Sequence, residues 1–323
     1  MDLSDKWRLL DEERVNHSRY QNENFCVSFR FYTLFYVFLA SFFIEGGLWL
    51  SSELVGPFST AIGYLTEFFS PGNGVASIQE FFFHYILYYE LFSFVFILLL
   101  FIFWVKVIEK NSLSTLGFVK RNCLKYLGWG ILLSLLQMGM IALVYQVGGI
   151  GTFELNELSL EPILFILGLF PFWLLQGGTE EVATRGWLLT RIAARTNLSL
   201  AIAISSSLFG ILHLGNSGVT FLSLLNIILD GVLAGLLFIY TDSIWLVVAQ
   251  HGTWNYVQGN LLGFQVSGTG ADASIFSFTM GSGPDWLTGG EFGAEGSIIT
   301  TLVLLLSVVI VYLLGERNER AVE

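Results

Sequence analysis

Eight apolar stretches occupy most of the chain, at about residues 31–50, 81–105, 127–147, 161–178, 198–213, 220–240, 243–260 and 297–315. Each approaches the roughly 20 residues that a helix needs to cross a bilayer. Hydrocarbon leaves a crossing backbone no water to bond, so segments of this length are read as helices. Charged residues make up 13% of the chain, about half of the roughly 25% usual in a soluble domain. The apolar stretches run almost end to end, so the whole protein is embedded rather than one anchor. The expected fold is an all-α, polytopic transmembrane helical bundle of about eight spans. The stretch 161–195 is too long for one straight crossing and contains Pro171 and the pair Gly177–Gly178. A kink, tilt or break is expected there.

Basic residues set the orientation. Lys6, Arg8, Arg14, Arg19 and Arg30 precede the first span, and Lys106, Lys110, Lys120, Arg121 and Lys125 lie between the second and third. Arg185, Arg191 and Arg195 follow the fourth span and Arg317 and Arg320 the eighth, which accounts for all 15. The alternate loops, 51–80, 148–160, 214–219 and 261–296, hold none and carry acidic residues such as Glu53, Glu154, Asp285 and Glu295. The positive-inside rule then predicts both termini in the cytoplasm of a multi-pass protein of the cell membrane. The first thirty residues are polar, lack the apolar core of a signal peptide, and read as a short cytoplasmic tail. The loop 261–296, rich in Gly, Ser and Thr, reads as a flexible connector. A net charge of −11 argues against nucleic acid as a partner. Cys26 and Cys123 form neither a disulfide framework nor a metal-ligand cluster.

Ionisable residues inside spans are costly, so each is a candidate for function. Glu45, Glu90 and Asp230 stand alone in the first, second and sixth spans, without a motif, and read as structural. The second half of the chain differs. In GGTEEVATRGWLL, Glu181 and Arg185 are one helical turn apart on one face, and Glu180 points about 100° away. Two adjacent carboxylates thus receive different surroundings, which lets one be structural and the other a base. In SSSLFGILHLGN, Phe209 and His213 are one turn apart; in AQHGTWNYVQG, so are His251 and Asn255. At 1.5 Å per residue, Glu180 and His213 both lie roughly 16–25 Å from the basic end of their spans. The three motifs can therefore meet in the membrane interior.

These motifs, in this order, resemble the CPBP family of intramembrane proteases, which comprises type II CAAX prenyl endopeptidases and bacteriocin-processing or immunity proteins. The family pattern E-E-x-x-x-R, F-x-x-x-H and H-x-x-x-N is met by Glu180-Glu181…Arg185, Phe209…His213 and His251…Asn255 over about residues 160–262. Thr184 departs from the aromatic usual before the Arg. The resemblance implies an endopeptidase acting on a membrane-associated protein or peptide, prenylated or not. Glu180 is the expected base for water, with His213 to position it. His251 and Asn255 are the expected oxyanion donors. Glu181 and Arg185 hold the helix, and Phe209 packs beneath His213. No cofactor is expected. The alternative is zinc on Glu180, His213 and His251, although no H-E-x-x-H motif is present. A non-enzymatic scaffold or regulator is the rival class. The implied division is a tail at 1–30, N-terminal membrane helices at 31–150 and a catalytic core at 151–262. A non-cytoplasmic loop at 263–296 and a last helix with its tail at 297–323 complete it.

Overall fold

The computed structural model describes residues 28–69, 85–270 and 273–320. Most of the polar tail, with His17 and Cys26, lies outside them, as do His84 and Asp272. Where described, all eight apolar stretches are helical: α1 (Ser28–Phe69), α2 (Ile86–Phe103), α3 (Cys123–Val147), α4 (Leu160–Glu181), α5 (Leu198–Leu212), α6 (Phe221–Thr241), α7 (Trp245–Tyr256) and α8 (Ile298–Arg320). The fold is an all-α helical bundle. Among the described residues, five helical runs are long and apolar enough to cross a membrane: Phe31–Leu54, Ile86–Ile108, Cys123–Val147, Leu160–Ala193 and Phe221–Thr241. Large apolar side chains such as Phe38, Phe42, Leu99, Leu136, Leu143, Leu302 and Val309 are exposed on α1, α2, α3 and α8. Apolar surface on this scale would be a liability in water and is ordinary against lipid.

The centre of the bundle is α7, which packs against α3 and α4. Every residue from Leu246 to Asn260 is buried, although the sequence there is AQHGTWNYVQGN at its heart. A helix wrapped in protein on all sides keeps polar groups out of lipid and gives them partners. Close approach to α4 depends on glycine. A Cβ at Gly252 would lie 2.7 Å from the Trp173 carbonyl oxygen, and one at Gly177 would lie 2.8 Å from the Gly252 nitrogen.

Three expectations are corrected. First, α1 continues to Phe69, through nearly two-thirds of the expected loop 51–80. A helix needs no lipid to keep its own i→i−4 hydrogen bonds, so it can project beyond its apolar stretch. Second, α4 neither breaks nor ends at Gly177–Gly178; it runs through Pro171 to Glu181 and continues as a π-helix, Val182–Leu189, and a last α-turn, Thr190–Ala193. The glycines serve contact with α7, and the departure from α geometry falls one turn later. Arg185 and Arg191, expected to follow the fourth span, are therefore buried within this helical run. Third, the segment 261–296 is built rather than a plain connector. Phe276–Met280 (β2) pairs antiparallel with Gly151–Leu155 (β1), with Phe153 opposite Phe278. Asn260 anchors it: its Nδ2 donates to the Ala273 carbonyl at 2.7 Å, and its carbonyl accepts from the Ile275 amide at 2.9 Å.

Candidate active site

Glu180 and Glu181 end α4 where it gives way to the π-helix. The two carboxylates face different ways, as helical spacing requires. Glu181 is fully buried, and its Oε1 accepts from Arg185 Nη1 at 2.9 Å and from His251 Nδ1 at 2.9 Å. Arg185, also fully buried, donates from Nη1 to Thr184 Oγ1 at 2.7 Å and lies 4.5 Å above the Phe209 ring. Thr184 Oγ1 in turn donates to the Glu180 carbonyl at 2.6 Å. The Thr that replaces an aromatic thus ties the arginine to the turn bearing Glu180. Glu180 Oε2 has no hydrogen-bond partner among the described residues and lies 3.6 Å from His251 Nε2.

The histidines are fixed by acceptors that cannot donate. His213, at the C-cap of α5, has its Nδ1 2.8 Å from the Phe209 carbonyl. A carbonyl only accepts, so Nδ1 carries a proton and a neutral ring leaves Nε2 as an acceptor. His251 Nδ1 donates to Glu181, which directs its Nε2 toward Glu180. The Phe209 ring packs edge-on to both imidazoles, with centroids 4.8 Å from His213 and 5.7 Å from His251. Asn255 donates from Nδ2 to Gln176 Oε1 at 2.9 Å. An amide NH2 has two protons, so one remains for another acceptor.

Glu180, His213, His251 and Asn255 all line one cavity of about 300 Å³, with Phe209 and Thr184. Glu181 and Arg185 lie behind its wall, as the expected supporting pair. Three carboxylates read as solitary from the sequence, Glu45, Glu90 and Asp230, line the same cavity. Their spans are distant in sequence, so no spacing rule joined them. Gln176 was missed, yet the signal was present: Gln176, Glu180 and Thr184 recur every four residues along one face of an apolar helix. Glu109 was missed as well. It follows the π-turn Trp104–Ile108 and accepts from Trp104 Nε1 at 3.0 Å, from Trp187 Nε1 at 2.9 Å and from Arg191 Nη2. Burial raises the pKa of its carboxyl, but the Arg191 guanidinium and the three donors outweigh that and hold it below the usual value.

Among the described residues no three His, Cys, Asp or Glu side chains are grouped as ligands. Nδ1 of each site histidine is committed to a protein acceptor, which leaves Nε2 of each ring turned to the cavity side of the site.

Residues 162–257 match the family model described as Rce1-like, type II CAAX prenyl endopeptidase. That stretch is similar to this family. The resemblance read from three motifs is borne out over the stretch that holds all seven motif residues. Comparison with curated proteins and with solved structures finds no match. That family is described as one of prenyl endopeptidases, and the match covers 96 of the 323 residues.

Proposed function

We propose that this protein is an intramembrane endopeptidase in which Glu180 activates water against a peptide bond of a membrane-associated protein. The observation that carries the reading is the meeting of Glu180, His213, His251 and Asn255 at one cavity, with Glu181–Arg185 buried behind them. Glu180 presents a carboxylate oxygen with no hydrogen-bond partner, as a base must. His213 Nε2 accepts a hydrogen bond from the same water and orients it. Attack on the carbonyl carbon creates an oxyanion, for which Asn255 Nδ2 is a donor and His251 Nε2 becomes one when the ring is an imidazolium, protonated at both nitrogens. The proton taken by Glu180 then passes to the leaving nitrogen, and the amide bond breaks. Glu181 accepts from Nδ1 of that imidazolium and so turns its Nε2–H toward the reaction. No step is routed through a metal.

The protein sits as a multi-pass protein in the cell membrane, with eight spans and both termini cytoplasmic. The thirteen basic residues other than Arg185 and Arg191 (15 − 2 = 13) still cluster beside alternate spans, which supports this orientation. The test is a quenched-peptide library incubated with detergent-purified protein after exhaustive chelation. Cleavage at discrete bonds is expected to survive. No cleavage of any peptide favours the scaffold reading, and activity restored only by added zinc replaces the glutamate mechanism with a metal one.

A further inference from the structure

The two ends of the cavity differ. Toward the basic end of α4 it is closed. Each residue from Glu181 to Ala193 is buried, and Glu109, Trp187 and Arg191 lock that region. Toward the other end the lining passes to Asn216, Ser267, Thr269 and Glu295. All four belong to loops that contain no Lys or Arg. They form a built rim: Glu295 Oε2 accepts from the Ser267 amide at 2.7 Å and from its hydroxyl at 2.8 Å, and Asn216 Nδ2 donates to the Ser267 carbonyl at 2.9 Å. Thr269 on that rim is exposed. Glu45 and Glu90, both exposed, line the cavity too, and Glu90 stands one turn from the non-basic end of α2. Glu45 is exposed there, and an ionisable side chain in a span faces a water-filled space rather than hydrocarbon.

We infer that water and substrate reach Glu180 from the non-cytoplasmic face, so that the bond cleaved lies in an extracytoplasmic segment of a membrane-associated protein. The inference rests on the hydrolase reading and the orientation above, and it adds the side on which the substrate must be presented. The positive-inside rule places the rim loops outside, the buried stretch of α4 bars the cytoplasmic route, and the exposed Thr269 and Glu45 at the cavity's lining mark the open one.

Two measurements test it. With Cys26→Ser and Cys123→Ser as background, Thr269→Cys and Lys110→Cys are exposed in intact cells to a membrane-impermeant sulfonated maleimide. Thr269→Cys is expected to react at once, and Lys110→Cys only after permeabilisation. The reverse pattern overturns the inference. The second measurement uses wild-type protein in proteoliposomes, with orientation scored by a protease-accessible C-terminal tag. A soluble quenched peptide accepted in detergent is added only outside. Cleavage is expected to scale with the fraction of molecules whose tag is sheltered inside; scaling with the exposed-tag fraction refutes it. If detergent-purified protein cleaves nothing, the hydrolase reading fails instead, and the labelling result still decides which face the rim occupies.

Discussion

Two Glu–Arg pairs lie within about two turns of one another along the helical run from Leu160 to Ala193, and they are built differently. Glu181 pairs with Arg185 one turn on, and Glu109 reaches Arg191 from another part of the chain. Both oxygens of Glu109 are engaged, by two indoles and a guanidinium. The other pair is incomplete. Glu181 Oε2 and Arg185 Nε and Nη2 have no hydrogen-bond partner among the described residues, and neither has Oε2 of the neighbouring Glu180. A satisfied buried network fixes structure, whereas an open one keeps capacity for water, substrate or a proton. By this measure the Glu109 carboxylate is a clasp, and Glu180–Glu181–Arg185 keeps the open valences that the proposed chemistry needs.

The contrast is sharpest in four substitutions. Glu180→Gln keeps shape and removes the base, so turnover should fall by about 10²–10⁴ while the melting temperature holds. A folded variant with near-normal turnover would remove Glu180 from its role. Glu181→Gln leaves Arg185 buried without its counter-charge and should cost roughly 3–5 kcal/mol of stability, read as lower yield and earlier melting. If instead it folds normally and is inert, the two carboxylates have exchanged roles.

Glu109→Gln should be milder, because its side chain is 17% exposed; losing a charged hydrogen bond costs about 1.5–3 kcal/mol. Turnover per folded molecule should not change. This pair also predicts a pH effect. The folded Glu109 carboxyl titrates below its ordinary 4.5, so its contribution is complete above that pH. It is lost as pH falls through the depressed folded value. Melting scans in acid should show that loss in the wild type and a flatter profile in Glu109→Gln; equal profiles would break the assignment. Trp187→Phe deletes one of three donors to the clasp and should cost about 1 kcal/mol, with turnover intact.

Legibility followed sequence distance. Glu181–Arg185 and Phe209–His213 are one turn apart, so helical spacing alone predicted their contacts. The eight helices were legible because lipid demands long apolar runs. Glu109–Arg191, 82 residues apart, was not, since nothing local announces the partner of a lone glutamate beside Lys106 and Lys110. The same holds for Glu45, Glu90 and Asp230, which only the packing of α1, α2 and α6 around one space brings to Glu180. The π-helix at Val182–Leu189 was hidden because its residues are ordinary helix formers, and packing selects the wider turn. The loop 261–296 misled because its Gly and Ser content matches that of a linker, although Phe276 and Phe278 mark a strand.

The all-round burial of α7 bears on how the chain is made. A segment carrying Gln250, His251, Asn255 and Gln258 gains little from hydrocarbon, because its favourable surroundings are α3 and α4 rather than lipid. During synthesis α3 and α4 leave the ribosome first and present the groove that α7 will fill. The short link from Thr241 to Trp245 delivers α7 directly behind α6, as the second arm of a hairpin. Insertion of this helix is therefore a tertiary event, and His251 on it takes its place only when the preceding helices have already assembled.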